Sequence, residues 1–131
     1  PGAVIVRSDV ERKRLAGVPL DEKLPAASYT PESSAAVYAA LERLAGQVLA
    51  TGQSVIVDAV NARPGEREKV EEVAQKAGVP FTGIWLEAPE ETLIARVEGR
   101  SGDASDADAA VVRRQQDYDL GPLTWARVDS R

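Results

Sequence analysis

The 131-residue sequence contains no cysteine and no histidine. Without cysteine, neither a disulfide framework nor a thiolate metal site can form, and without histidine the usual zinc ligand and the usual general base are absent. Any catalysis would therefore depend on carboxylates, arginines and a bound metal ion. No stretch approaches the ~18 consecutive apolar residues of a membrane span, and no signal-peptide pattern is present. We therefore expect a cytoplasmic protein that makes no use of a membrane.

Methionine is also absent, and the sequence begins with Pro-Gly directly before an apolar run. Removal of an initiator before proline would produce such a start, but we favour excision from a longer protein. The composition, 44% apolar and 28% charged, is that of a soluble globular protein of one domain, residues 1–131. The net charge of −5 argues against non-specific binding to nucleic acid. The negative charge does not exclude a nucleotide as a substrate.

Short β-branched runs alternate with helical patterns along the chain. Residues 3–7, 55–58 and 81–87 read as strands, with a last short strand at 123–128. Thr30-Pro31 begins a long helix, Pro64 begins another that Gly78 ends, and further helices follow at about 90–97 and 105–117. Because the runs show no polar alternation, they predict a parallel sheet that helices cover on both faces.

Two of the predicted strands lead into aspartates. Asp58 ends the second strand, and Asp9 follows the first, with Arg12 three residues later. The carboxyl ends of parallel strands lie at one edge of a sheet, where open α/β sheets bind ligands. The pattern therefore predicts one shared site at that edge.

Several segments together resemble a known family: RSDVERKRLAG, the helix that begins at YTPE, SVIVDA with an arginine-rich turn, WLEAPEETLIARV, and RSGDASDADAAVVRRQ. They resemble P-loop kinases of the polynucleotide-kinase, zeta-toxin and gluconate-kinase type. The closest likeness is to the AAA-type, ATP-binding kinase-like domain fused to aminoglycoside-phosphotransferase-like proteins. The resemblance spans residues 3–129 and implies a three-layer α/β P-loop NTPase fold with a parallel sheet.

The sequence lacks the family's glycine-rich loop, since Gly-x-x-x-x-Gly-Lys-[Ser/Thr] occurs nowhere in it. In such kinases this Walker A loop cradles the phosphates, and its lysine reaches the β and γ phosphates. The resemblance therefore implies that the first strand and its loop, about 25 to 30 residues, are missing upstream. It also places the missing strand in the middle of the sheet, beside the strand that ends at Asp58.

The resemblance assigns roles to individual residues. Asp9 would accept the proton of the attacking hydroxyl, Arg12 would steady the phosphoryl group, and Asp58 would lie near Mg²⁺. Residues 100–106 would form a lid whose charged groups hold ATP, with Arg100 also acting in catalysis. The other nucleotide-binding candidates around this lid are Arg96, Arg113 and Gln115. The structural alternatives are a helix cap for Asp9, a turn residue for Asp58 and solvated helix faces for the arginines.

The leading hypothesis is a kinase that moves the γ-phosphoryl group of ATP to a hydroxyl of a small molecule, nucleotide or polynucleotide end. It would use ATP and Mg²⁺, would bind nucleic acid only as a substrate end, and would be inactive as this fragment. Its partners would include an upstream P-loop segment or a fused phosphotransferase-like domain. The alternative is a truncated or degenerate P-loop domain that serves as a packing or interaction module. A flavodoxin-like or response-regulator-like domain is a third interpretation, but neither explains the arginine-rich lid.

Overall fold

The computed structural model describes residues 2–24, 30–99, 109–116 and 120–130. Strands and helices alternate in the order β1 (Ala3–Arg7), α1 (Ser8–Ala16), α2 (Pro31–Ala50), β2 (Ser54–Asp58), α3 (Pro64–Ala77), β3 (Ile84–Glu87), α4 (Glu90–Glu98), α5 (Ala109–Gln116) and β4 (Ala126–Asp129). The predicted α/β class is therefore confirmed. Among the described residues, no helix combines the length and apolar character that a membrane crossing needs.

The strands form two parallel pairs. β1 pairs with β2 in a register that sets Arg7 beside Asp58, and β3 pairs with β4 so that Leu86 lies beside Val128. β3 begins three residues later than predicted. Pro80 has no N–H to donate to a ladder, and Gly83 lies so close to the ring of Trp125 that a side chain there would clash. β3 therefore begins at Ile84, directly after the contact between Gly83 and Trp125.

The core of the first strand pair forms against α2. Val6, Val37 and Leu41 are buried together, and Val55 and Val57 pack against them. β-branched side chains pack well on a pleated sheet, which explains why these strands carry them. Consequently, one face of the β1–β2 pair is covered by α2.

A capping box starts α2. The Thr30 hydroxyl accepts a hydrogen bond from the Ser33 N–H at 3.0 Å, and the Ser33 hydroxyl accepts one from the Thr30 N–H at 3.0 Å. These bonds satisfy backbone donors that the first turn of a helix otherwise leaves without partners. The predicted start of this helix at Thr30-Pro31 is thus confirmed.

We expect Thr30→Ala to lower the free energy of unfolding by about 1 kcal/mol, because the capping hydroxyl is lost. Thr30→Ser keeps the hydroxyl and is expected to stay close to the wild type. Urea unfolding followed by circular dichroism measures both variants. Equal midpoints for the alanine and serine variants would contradict a capping role.

The opposite face of the strands differs from the sequence-based expectation. Ile5 and Ile56 are neighbours across β1 and β2, and they are 59% and 51% exposed. On β3, Ile84 and Leu86 are 54% and 67% exposed. The expected burial of both faces is therefore wrong for these residues, because the described part of the chain supplies no cover for them.

Helix α3 links the two strand pairs. It packs against α2, and two of its side chains contact β3 and the residue before β4. The Trp125 indole donates to Glu71 at 2.9 Å, and the Arg67 guanidinium lies 5.8 Å from the ring centre of Trp85. These contacts connect α3 to the second strand pair.

Candidate active site

Arg7 lies between the two predicted aspartates. Its Nε donates to Asp58 Oδ2 at 3.0 Å, and its second terminal nitrogen lies 3.8 Å from Asp9 Oδ2. The parallel register explains the first contact, because Arg7 and Asp58 are paired residues at the ends of β1 and β2. Both carboxylates therefore lie at one edge of the strand pair, which confirms the predicted common edge.

The three charged groups remain accessible. The exposed fractions of the side chains are 30% for Arg7, 34% for Asp9 and 58% for Asp58. An ion pair this exposed adds little to stability. The arginine does reduce the repulsion between two neighbouring carboxylates, which a cation can do at this range. The arrangement thus holds two negative groups together while part of each side chain stays accessible to solvent.

Arg12 is anchored to a different element. Its two terminal nitrogens donate to the hydroxyls of Ser33 and Ser34, each at 3.2 Å. These serines belong to the first turn of α2, so the guanidinium is held between α1 and α2. The predicted role of Arg12 in steadying a phosphoryl group stays a prediction.

The helix-cap alternative for Asp9 is not supported. Arg7 occupies the N-cap position of α1 without a side-chain cap bond, and Asp9 is the second residue of the helix. An acidic side chain in the first turn still interacts favourably with the helix dipole. Asp9 therefore lies in the first turn of α1 rather than at its N-cap, at the edge that carries Asp58.

A hydrogen-bonded turn follows Asp58. Asn61 has a φ of 51° and is 4% exposed, and its N–H donates to the Tyr38 hydroxyl at 3.0 Å. Its side-chain nitrogen donates to the carbonyl of Ala59 at 3.3 Å. Asparagine tolerates the left-handed conformation better than most residues. The turn therefore fixes how the chain leaves β2 at the site.

The predicted nucleotide-binding residues fall into three groups. Arg96 donates to the hydroxyl of Ser130 at 3.2 Å and to its carbonyl, and Arg113 lies 4.0 Å from Glu90. These contacts are with the ends of β4 and α4 rather than with Asp9 or Asp58. Gln115 is half-buried and borders the same cleft as Asp58. Arg100 and the predicted lid, 100–106, lie outside the described residues.

Asp58 is the predicted metal ligand. Within the described ranges, no three carboxylate, imidazole or thiolate groups converge as an all-protein metal site would require. Mg²⁺ usually takes one or two carboxylates and completes its shell with water and substrate phosphates. A single accessible carboxylate such as Asp58 fits that mode of binding, whereas a dedicated protein cage does not fit.

Sequence reasoning did not assign functions to two arginines that the structure brings forward. Arg7 lies in the segment RSDVERKRLAG, but its contact with Asp58 follows only from the register of the two strands. Aligning the last residues of the two neighbouring strands would have predicted the contact between Arg7 and Asp58. Arg67 is 4% exposed and donates to backbone carbonyls, although it lies in a run of charges that reads as a solvated helix face. No sequence signal separates it from its neighbours.

Comparisons with known proteins identify the family. A family model described as an AAA domain matches residues 1–119, and the chain belongs to this family. No curated protein sequence is significantly similar to the chain.

Solved structures of kinases share the fold. A gluconokinase from Sinorhizobium meliloti 1021 has a TM-score of 0.59 at 20% identity, over 97% of this chain and 67% of that one. A kinase candidate from Chloroflexus aurantiacus J-10-fl has a TM-score of 0.56 at 22% identity, over 98% and 74%. A sugar kinase from Janibacter sp. HTCC2649 has a TM-score of 0.60 at 16% identity, over 97% and 69%. The chain therefore has the P-loop kinase fold that its sequence predicted.

Proposed function

We propose that this chain is part of an ATP-dependent phosphotransferase that transfers the γ-phosphoryl group to a hydroxyl of its acceptor. One observation carries the proposal: Arg7 holds Asp9 and Asp58 at the same edge of a parallel strand pair, 3.8 Å and 3.0 Å from its nitrogens. The family and the fold are consistent with this chemistry. Two accessible carboxylates of this kind can serve two purposes, proton acceptance and metal binding.

Asp9 acts on the acceptor in this proposal. The hydroxyl oxygen attacks the γ-phosphorus, the bond to the β,γ-bridging oxygen breaks, and the hydroxyl proton passes to the Asp9 carboxylate. A general base must be reachable by its substrate, and the Asp9 side chain is 34% exposed. Arg12 would steady the transferred group from its anchor on α2.

Asp58 would hold Mg²⁺, which neutralises charge on the phosphates when it is bound. Arg7 would then keep Asp58 and Asp9 at a fixed separation, because it contacts both side chains. Gln115 borders the cleft beside Asp58 and is assigned to the nucleotide, together with Arg96, Arg100 and Arg113. Arginines that close over a triphosphate stabilise charge that develops during transfer.

The 131 residues alone are expected to bind ATP weakly and to turn it over negligibly. They lack the glycine-rich loop whose amides and lysine hold the phosphates. Isothermal titration of residues 1–131 with ATP and Mg²⁺ should give no saturable heat at micromolar nucleotide. Micromolar, magnesium-dependent binding would overturn this expectation.

A longer form that carries a strand and Gly-x-x-x-x-Gly-Lys-[Ser/Thr] before Gly2 tests the proposed activity itself. We expect transfer of labelled phosphate from γ-labelled ATP to at least one acceptor among sugar acids, nucleosides and 5′-hydroxyl oligonucleotides. The matched control replaces the loop lysine by alanine. Tight ATP binding without transfer to any hydroxyl would contradict the phosphotransferase proposal.

A second candidate function is a non-catalytic module. The absence of Gly-Lys-[Ser/Thr] from the sequence favours it for the chain as given. In this case the domain would contribute a packing surface rather than a reaction centre. A longer form that binds no ATP despite a complete loop would support this alternative.

A further inference from the structure

Tyr38 connects helix α2 to the turn that follows Asp58. Its ring is half-buried and packs against the buried core of the first strand pair. Its hydroxyl accepts a hydrogen bond from the Asn61 N–H at 3.0 Å. Because side chains in a close-packed core have little freedom, the hydroxyl has a defined position relative to the strand that ends at Asp58.

The turn adopts a conformation that depends on contacts with other elements. Asn61 lies in the left-handed region with a φ of 51°, and such conformations persist where the surrounding structure holds them. Its side chain contributes one bond, from Nδ2 to the Ala59 carbonyl at 3.3 Å, because Oδ1 has no hydrogen-bond partner in the described part of the chain. Its peptide groups are bound by other elements, since Tyr38 accepts from the N–H and Arg67 donates to the carbonyl at 2.8 Å.

Asp58 depends on this turn for the direction of its carboxylate. It ends β2, three residues before Asn61, and its side chain is 58% exposed. Among the described residues, its carboxylate accepts a hydrogen bond from Arg7 at 3.0 Å. An exposed side chain with few contacts takes its direction largely from the backbone that carries it. A change in the backbone at Asn61 is therefore expected to move the Asp58 carboxylate.

The same face of α2 also holds Arg12. The Ser34 hydroxyl accepts a hydrogen bond from its guanidinium at 3.2 Å, and Ser34 lies four residues before Tyr38. Residues four apart on a helix lie on one face, separated by a turn of roughly 5.4 Å. α2 therefore fixes the Arg12 guanidinium and the turn after Asp58 relative to each other.

We propose that Tyr38 is a positioning residue for phosphoryl transfer: through the Asn61 N–H it holds Asp58 at a fixed place relative to Arg12. This proposal rests on the phosphotransferase function proposed above, and it adds a residue that no sequence motif identified. Asp58 would hold Mg²⁺, whereas Tyr38 contacts neither the metal nor the substrate. Residues that orient a metal ligand contribute about 10- to 100-fold to metal affinity or activity.

The first test measures hydrogen exchange of the Asn61 amide in residues 1–131 by NMR, without nucleotide. In the wild type we expect exchange at least about tenfold slower than in an unstructured amide, because the Tyr38 hydroxyl accepts its hydrogen bond. Tyr38→Phe keeps the ring and removes the hydroxyl, so exchange should become about tenfold faster. Thr51→Val is the matched control, since it removes a hydroxyl that donates to the Val48 carbonyl at the other end of α2. It should leave exchange at Asn61 unchanged, and circular dichroism verifies that both variants fold.

The second test measures transfer by the longer form that carries the Gly-Lys-[Ser/Thr] loop, at a series of Mg²⁺ concentrations. Tyr38→Phe should raise the Mg²⁺ concentration at half-maximal rate by about tenfold, because Asp58 is no longer held in place. ATP affinity at saturating Mg²⁺ should change by less than about twofold, since the loop holds the nucleotide. Excess Mg²⁺ should therefore restore most of the rate. A purely structural defect would instead lower the rate equally at every Mg²⁺ concentration.

Ser34→Ala separates the two contacts that α2 makes. It loosens Arg12, which keeps its bond to Ser33, and it leaves the turn after Asp58 intact. We expect the maximal rate to fall by about threefold to tenfold, as for one lost hydrogen bond, with an unchanged Mg²⁺ requirement. An equal shift of the Mg²⁺ requirement in Ser34→Ala and Tyr38→Phe would assign the effect to α2 as a whole and contradict the proposal.

Three other results would also overturn the proposal. Equal exchange at Asn61 in the wild type and in Tyr38→Phe would show that the hydroxyl does not hold the turn. Faster exchange with an unchanged Mg²⁺ requirement would leave Tyr38 as a structural contact, while the measured transfer would still support the phosphotransferase function. Absence of transfer by the wild-type longer form would overturn both proposals, and exchange in residues 1–131 would then show whether Tyr38 holds the turn for stability alone.

Discussion

Asp9→Ala, in a longer form of the protein that carries the Gly-Lys-[Ser/Thr] loop, is expected to lower the rate of phosphoryl transfer by roughly 10² to 10⁴. ATP affinity should change little. A base that accepts the acceptor proton acts in the transition state, whereas the loop and the lid hold ATP in the ground state. The expected signature is therefore a loss in kcat with an almost constant Kd for ATP.

The measurement combines steady-state transfer kinetics with calorimetric ATP affinity on the same variants. Asp21→Ala is a matched control, because Asp21 is an exposed aspartate in the loop after α1 and lies outside the proposed site. It should leave both quantities unchanged. An unchanged transfer rate in Asp9→Ala would reduce Asp9 to an acidic residue in the first turn of α1, and a parallel loss of ATP affinity would assign it to nucleotide binding.

The order of the helices and strands could be predicted largely from the sequence, because the residues that begin and end each element lie close to it in the chain. Thr30 starts α2 through hydrogen bonds to a residue only three positions away, and Gly78 ends α3 with a φ of 69°. The same holds for the common edge of Asp9 and Asp58, since parallel strands end at one edge whatever their partners are. Contacts between nearby residues are enough to predict where these helices begin and end, and the topology of parallel sheets is enough to predict the common edge.

Burial could not be predicted in the same way. A run such as Ala3–Arg7 without polar alternation indicates cover on both faces, yet Ile5 is 59% exposed. An apolar run in the sequence predicts that its side chains are suited to burial. The group that covers them need not be among the described residues. The sequence therefore predicted that residues such as Ile56 and Leu86 are buried, whereas the structure leaves them exposed.

The roles of individual charged residues were the features that the sequence predicted least well. Arg7 and Arg67 each lie among other charged residues, and neither spacing nor helical periodicity distinguishes them. Arg7 gains its role from the register of β1 and β2. Arg67 gains its position from contacts with residues more than fifty positions away. Such contacts depend on how the two strand pairs are arranged, which no local pattern specifies.

Arg67→Ala is expected to lower the free energy of unfolding by roughly 2 to 4 kcal/mol. The guanidinium of this buried side chain donates to the carbonyls of Asn61 and Ala62 at 2.8 and 2.9 Å, and to those of Leu120 and Pro122. Charge-assisted hydrogen bonds are stronger than neutral ones, and removal leaves carbonyls without a donor. The loss should also loosen the second strand pair, because Arg67 links α3 to it.

Urea unfolding followed by tryptophan fluorescence suits this measurement, because Trp85 lies beneath the guanidinium. Arg67→Lys keeps the charge but not the planar fork, so it should recover only part of the loss. Arg43→Ala is the matched control, since Arg43 is exposed on α2 and its replacement should change stability by less than about 0.5 kcal/mol. If Arg67→Ala unfolded at the same urea concentration as Arg43→Ala, the four carbonyls would have other donors, and α3 would hold the second strand pair without this arginine.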